Sequence, residues 1–266
     1  MSDLSVQIYQ AIADSREKRK VERWHASSIA KCPRALYLER LGVESLNTPG
    51  GGKILRWSAG HALEGALRPY LKYLYEDLEA NVLLRNDTLS LGGEYDAYIP
   101  SQKELISVKS VHDYAMITRQ GRTGLKEKVG LNELGKVVWD FKSEPYTHHQ
   151  WQEHAYILMA NHEDSYIYNR ETKKKSSLDL PVEKITYIYI TLSGLMDTFT
   201  TEVKPDILKR VTDKVEYLNE CWENKEPPVC LCQEGQEMFQ VTDQYCDYRS
   251  GDDCCSLNLI KELENA

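Results

Sequence analysis

The sequence predicts an α/β fold, a mixed central sheet flanked by helices and closed by a cysteine-bearing C-terminal cap. Three observations predict it. Apolar residues recur at helical spacing over about 55–78, switch to short continuous or alternating runs over 81–111, and return to helical spacing over 147–161. Another β-type run follows at 184–192, and a helix at 206–223. Five of the seven cysteines then crowd residues 230–255, after Pro227-Pro228. With 266 residues, 41% of them apolar and 9% aromatic, the chain has enough to build a sizeable core, which excludes wholesale disorder.

The elements follow in order. Residues 27–41 read as a helix capped by Ser27 or Ser28, with Leu36, Leu38 and Leu41 as apolar contacts and Gly42 as its stop. Residues 45–53, containing Asn-Thr-Pro-Gly-Gly-Gly, read as a loop. The helix over 55–78 carries Leu55, Ala59, Leu63, Leu67, Leu71 and Leu74 on one stripe, with a kink or break expected at Pro69. Strands are expected at 81–84, 89–99 and 105–111, the last two joined as a hairpin by residues 100–104. Residues 119–136 are polar and glycine-containing and read as an excursion from the fold. Val137 to Phe141 is a further apolar run.

No run of 18 apolar residues exists and Met1 to Lys20 is polar, so a soluble, cytoplasmic protein with no membrane partner is expected. Residues 201–266 hold 15 acids and 7 bases, whereas the preceding 200 residues hold 26 of each. The acidic pI near 5.5 argues against a general nucleic-acid coat. It leaves open a groove lined by local basic clusters: Arg16 to Arg23, then Arg119, Arg122, Lys126 and Lys128, then Arg170 to Lys175. Such runs are ordinarily solvated faces.

One constellation carries chemistry. Asp96 lies in Gly92-Gly-Glu-Tyr-Asp96 on the first hairpin arm, and Ser107-Val-Lys109 lies on the second, where residues two apart share a face. Pairing across the hairpin brings Lys109 beside Asp96. A carboxylate beside a lysine near a divalent metal suits phosphodiester hydrolysis: the acid holds the ion, the ion acidifies its water, and the ammonium neutralises developing charge. Seen alone, the pair is an ordinary salt bridge. Here it is preceded by Gly60-His-Ala-Leu-Glu64 on one helix and followed by Gln152-Glu-His-Ala-Tyr156 on another. Gln152 and Tyr156, four apart, stack on one helical face.

This order of motifs, Gly-x-x-x-(His or Glu), Gly-x-x-Asp, acid-x-Lys and Gln-x-x-x-Tyr, resembles the RecB-like nucleases of the PD-(D/E)XK superfamily. Cys32-Pro-Arg and the cysteine-rich end resemble its iron–sulfur branch, which includes AddB-type nuclease domains and the CRISPR-associated Cas-four exonucleases. The resemblance covers roughly residues 27–255 and implies a restriction-endonuclease-like fold. It implies a helical and basic segment over 1–26, a nuclease domain over 27–226, and an iron–sulfur cap over 227–266 packing back on Cys32. By it, Glu64 and Asp96 are metal ligands for Mg²⁺ or Mn²⁺, with His61 a further candidate, Lys109 is catalytic, and Gln152 and Tyr156 orient the site or bind DNA. A phage-encoded chain is one reading of so compact a member.

The family expects an acid two residues before the lysine, and this chain has Ser107, which cannot replace a carboxylate on a hard metal. Two rescues stand open. In the first, the strand is Val137-Val-Trp-Asp140-Phe-Lys142, an intact Asp-x-Lys ten residues before Gln152, and Lys142 is catalytic. In the second, Lys109 is catalytic and Glu153 or Asp140 fills the empty ligand place. His148, His149 and His154 surround Gln152, with a structural or solvent-exposed role as the default for each.

The cysteines do not have zinc-ribbon spacing, since Cys230-Leu-Cys232 is followed by Cys246 and then Cys254-Cys255 without paired Cys-x-x-Cys knuckles. The resemblance assigns Cys32, Cys232, Cys246 and Cys254 to a structural [4Fe–4S] cluster, with Cys230 and Cys255 as spares and zinc as the alternative occupant. Cys221 reads as an ordinary thiol on a helix. The function expected is a metal-dependent nuclease acting on single-stranded DNA ends, with recombination or CRISPR-adaptation partners. The competing expectation is a catalytically silent DNA-binding or protein-interaction module that keeps the fold, and a zinc-stabilised nucleic-acid protein is a third.

Overall fold

A computed structural model describes residues 4–15, 21–43, 50–168, 175–177 and 182–229. In chain order the elements are α1 (Leu4–Asp14), β1 (Trp24–His25), α2 (Pro33–Leu41), α3 (Gly51–Leu74), β2 (Glu79–Asn86), β3 (Leu91–Ile99), β4 (Glu104–Ser110), β5 (Met116–Arg119), β6 (Arg122–Leu131), β7 (Val137–Phe141), α4 (Thr147–Ala160), β8 (Ser165–Tyr168), β9 (Lys175–Ser177), β10 (Lys184–Ile190), β11 (Met196–Glu202) and α5 (Pro205–Asn224).

The described strands form a mixed central sheet of order β11-β10-β4-β3-β2-β8-β9, with β1 added parallel to β3. β4 and β10 are parallel, and every other neighbouring pair along the sheet is antiparallel. Alternation along the strands divides the two faces. Ala97, Ile99, Ile106, Val108, Ile188 and Ile190 meet Leu63, Leu67 and Leu71 of α3. Tyr98, Leu105, Tyr187 and Tyr189 belong to the larger core shared with α2, α4 and α5. Helices therefore cover both faces, as the periodicity predicts.

Several boundaries move. α2 starts at Pro33, not at Ser27: residues 26–28 form a single 3₁₀ turn, and Pro33 suits a first helical turn, where no backbone N–H is needed. Gly42 ends it in the left-handed region at φ 80°, its N–H bonding Glu39 O and Leu38 O. α3 begins inside the expected loop, at Gly51, where a Cβ would lie 2.2 Å from Tyr9 O of α1, so only glycine permits the two helices to approach there. α3 then runs unbroken past Pro69 and stops at Leu74.

The larger correction concerns residues 119–136. They form β5, β6 and the turn into β7, a three-stranded antiparallel sheet inserted between β4 and α4. Gln120 (φ 51°) and Gly121 (φ 76°) make the tight first turn, and the Asn132 side chain accepts from the N–H groups of Leu134 and Lys136 in the second. Leu125 and Met116 point into the main core while Arg122, Lys126 and Lys128 alternate outward, so few apolar residues were there to signal a strand. No helix among the described residues is long and apolar enough to cross a membrane.

Candidate active site

The site grows from an interruption in the sheet. β2 pairs with β3 along nearly all of its length, so the remaining partners of β3 share its other edge. β1 takes Leu91 and Gly92 at one end of that edge, and β4 takes Ala97 to Ile99 at the other. Between them, Gly93 to Asp96 have no strand partner on that side among the described residues, and side chains fill the gap. Tyr156 of α4 donates from its hydroxyl to Glu94 O at 2.7 Å, and the Asp96 carboxylate accepts from Val108 N–H at 2.7 Å.

This explains the glycines of the motif. A Cβ on Gly93 would lie 2.8 Å from the Tyr156 ring, so glycine lets α4 lay its tyrosine across β3. A Cβ on Gly60 would lie 2.5 Å from Ser110 Oγ, so glycine lets α3 close on the end of β4 and places Glu64 one turn further along.

Around Asp96 the charges converge. Ser107 and Lys109 share the α4 face of β4. Ser107 Oγ donates to Glu153 Oε1 at 2.6 Å, and Lys109 Nζ stands 3.0 Å from the same oxygen and 4.0 Å from Asp96 Oδ2. The Glu153 side chain is 2% exposed, Lys109 10%, Asp96 18% and Glu64 19%. Burial alone lowers the pKa of Lys109, but the charges of Glu153, Asp96 and Glu64 outweigh it, so the ammonium is held above its ordinary value. Burial, with Asp96 adding to it, raises the Glu153 carboxyl despite Lys109. Glu64 is raised by burial and by the charge of Asp96, against the pull of His61 and Arg68.

The residues picked from the sequence distribute as follows. Glu64, Asp96, Lys109, Gln152 and Tyr156 are brought together; Gln152 lies within hydrogen-bonding reach of the Tyr156 hydroxyl, which burial, Glu153 and Asp96 hold far above its ordinary range. His61 is 82% exposed and turns Nδ1 toward Glu64 Oε2 at 3.5 Å. Asp140 and Lys142 belong to the inserted sheet and its edge, paired with Arg119 at 3.5 Å and Glu127 at 3.8 Å, not with the acids of the central sheet. His154 is structural: its Nδ1 meets Gln150 O at 2.7 Å and its Nε2 accepts from Lys204 N–H at 2.9 Å.

Residues that the sequence did not single out complete the surroundings. Tyr189 lies beside Lys109 in the β10–β4 register, and its hydroxyl contacts His149 Nδ1 at 2.9 Å and Tyr146 N at 3.1 Å. The alternation of Ile-Tyr-Ile-Tyr-Ile in β10 marks Tyr189 as a strand residue facing the main core, but not as a neighbour of the lysine.

Among the described residues, no three His, Cys, Asp or Glu side chains stand close enough together to enclose a metal ion as they are. By donor type, Glu64, Asp96 and Glu153 still fit Mg²⁺ or Mn²⁺: all three are hard oxygen donors, and burial, with the charge of Asp96 added, raises Glu64 and Glu153 where no cation compensates it. Cys32 is buried just before α2, where Lys214 Nζ donates to Lys31 O at 2.5 Å. Burial pulls that ammonium down to about 7, against the charge of Cys32. Cys230, Cys232, Cys246, Cys254 and Cys255 lie outside the described residues, as does most of the proposed cap.

The sequence matches no protein-family model and no curated protein. Solved structures similar to this chain include SSO0001, at 15% identity over 90% of this chain and 94% of that one, with a TM-score of 0.46. Another is an alkaline exonuclease, LHK-Exo, from Laribacter hongkongensis, at 10% identity over 82% and 93%, with a TM-score of 0.46. The same exonuclease in complex with dAMP superposes with a TM-score of 0.42 at the same identity and coverage. Likeness at these values carries no functional inference, so the chemistry rests on the site itself.

Proposed function

We propose that this chain is a metal-dependent deoxyribonuclease acting on single-stranded DNA ends, with the active site at the end of β4. The observation that carries the reading is the placement of Lys109 between Glu153 and Asp96, with Glu64 closing from α3. In this reading the missing strand acid has moved to the helix. Glu153 on α4 occupies, over Ser107, the place that an acid at position 107 would fill, and Ser107 donates a hydrogen bond that fixes its carboxylate. The ligands for Mg²⁺ or Mn²⁺ are then Glu64, Asp96 and Glu153.

Such an ion, when bound, supplies a water acidic enough to attack at neutral pH. The protein's own groups do the rest. Asp96 is held by Val108 N–H and keeps β3 and β4 in register at the site. Lys109, kept protonated by its neighbours, offers positive charge to the phosphate oxygens as negative charge grows on them. Tyr156, anchored on Glu94 O, and Gln152 beside it fix α4 against β3 and hold Glu153 in place.

A structural [4Fe–4S] cluster, with zinc as the alternative, belongs to the same proposal. What supports it among the described residues is the return of the chain to α2: Arg34 Nε donates to Pro228 O at 2.7 Å, two residues from Cys32, and Tyr217 OH accepts from Val229 N–H at 3.0 Å. A brown protein with visible charge-transfer absorption is expected, and a colourless, zinc-loaded one would replace the cluster with zinc.

The second reading, a silent DNA-binding or protein-interaction module, is favoured by Ser107 standing where the family has an acid, and by the absence among the described residues of a ready-made three-ligand group. One assay separates the two. Purified protein with Mn²⁺ should degrade labelled single-stranded DNA and Asp96→Ala should not; equal activity in the variant overturns the assignment, and intact DNA with wild type supports the silent module.

A further inference from the structure

The inserted sheet has an outward face with no role in the site described so far. β6 presents Arg122, Lys126 and Lys128 on one face, with the buried Gly124 between them, and its register with β7 sets Phe141 beside Lys126 and Trp139 beside Lys128 on that face. Gly124 makes room for a ring: a Cβ there would lie 2.9 Å from Phe141 Cδ1. The Arg122 guanidinium lies 5.2 Å from the Phe141 centroid. Lys126 Nζ lies 4.6 Å from the Trp139 centroid and also over Tyr114, which meets Trp139 edge-to-face at 6.3 Å and is 67% exposed. Cations interleave with the exposed Tyr114 and the half-buried Trp139 and Phe141 over this sheet.

A second group of rings and cations lies nearer the active site, beyond the end of β7. Lys142 Nζ lies 5.7 Å from the Tyr146 ring. Tyr146 stacks on His148 at 5.8 Å and an interplanar angle of 16°, and meets Tyr189 edge-on at 5.8 Å. Tyr189 is the register neighbour of Lys109. Tyr146 and His148 thus form a second ring group between Lys142 and the buried Tyr189, which lies beside Lys109.

We propose that this face of the inserted sheet, with Tyr114, Lys126 and Trp139 at its centre, is a track that binds single-stranded DNA and leads it past Tyr146 and His148 toward the site. The occupant follows from the chemistry. Rings spaced among cations match a strand whose bases are unstacked and whose phosphates are exposed, whereas a duplex hides its base faces and offers only phosphates. The track rests on the nuclease reading for its purpose, but not for its binding.

The test uses full-length protein in EDTA, so that binding is read without cleavage, with fluorescein-labelled oligothymidylate and a duplex of the same length. Tyr114→Leu combined with Trp139→Leu should weaken oligothymidylate binding by at least about tenfold and leave duplex binding unchanged. Trp139→Phe, which keeps a ring, should retain binding but lose the quenching of tryptophan emission that the strand produces; this guards against a loss due to misfolding. Unchanged oligothymidylate affinity in the double variant overturns the track and leaves the face to contact with a protein. An equal loss for strand and duplex overturns it in favour of a general phosphate surface. Wild type that binds through Trp139 but never cleaves removes the nuclease reading and keeps the track; wild type that cleaves regardless of Trp139 does the reverse.

Discussion

Ser107-Val-Lys109 in β4 and Asp140-Phe-Lys142 at the end of β7 are the two candidates for the catalytic lysine, and the fold treats them in opposite ways. The second has the intact acid-x-Lys motif, yet it sits in the inserted sheet, where Asp140 is 55% exposed and pairs with Arg119, and Lys142 pairs with Glu127. The first lacks its acid, yet lies in the central sheet next to the edge gap of β3, where Asp96, Glu153 and Glu64 surround Lys109. In the proposed site, a carboxylate three residues before the helical tyrosine takes the role of the acid that the strand lacks. The lesson is that an active site of this kind belongs to a place in the sheet, and a motif matters only if the topology delivers it there.

The comparison breaks most readily at the lysines. Lys109→Ala is expected to lower the rate of DNA cleavage by about 100-fold or more, and Lys142→Ala by no more than about threefold. The reverse order would move the site to the inserted sheet. A second probe asks whether the central region is as tightly specified as its packing indicates. Gly93→Ala places a methyl group 2.8 Å from the Tyr156 ring, and should cost about 1–3 kcal/mol in urea unfolding while loosening the bond from Tyr156 to Glu94 O. The smallest effect belongs to the exposed pair. Removing the Lys142 charge should change stability by less than about 1 kcal/mol, because Glu127 is 43% exposed and the partners are 3.8 Å apart.

Much of this arrangement was legible in the sequence, because the informative residues report local constraints. Gly60 and Gly93 stand where two elements touch, and the hairpin of β3 and β4 announces itself through alternation and through the turn at Pro100. α4 was legible from Thr147 to Ala160, and so were the residues that face β3 from it. The inserted sheet was not. Its strand β6 buries Leu125 but sends charges outward, and its first turn uses Gln120 at positive φ instead of the asparagine that usually marks such turns. β8 and β9 are short, and β11 lies at the sheet edge, where exposed and half-buried positions alternate and only Met196 and Phe199 are apolar.

Within the site, the choice between Lys109 and Lys142 could not be made along the chain. The β3–β4 hairpin is local, but the acid that faces Lys109 in place of residue 107 comes from α4, 44 residues further along the chain. Glu153 had a local sign, lying between the buried Trp151 and His154 on a helix covered nearly all round. What no local sign contains is that this glutamate meets Ser107, 46 residues earlier, at 2.6 Å.

The most direct test moves the carboxylate back. Glu153→Ala should lose about 100-fold or more of the Mn²⁺-dependent cleavage of single-stranded DNA, and Ser107→Asp introduced into that variant should restore at least about tenfold of it. Cleavage undiminished in Glu153→Ala, or abolished instead by Asp140→Asn, would contradict the assignment of Glu153 as the relocated acid.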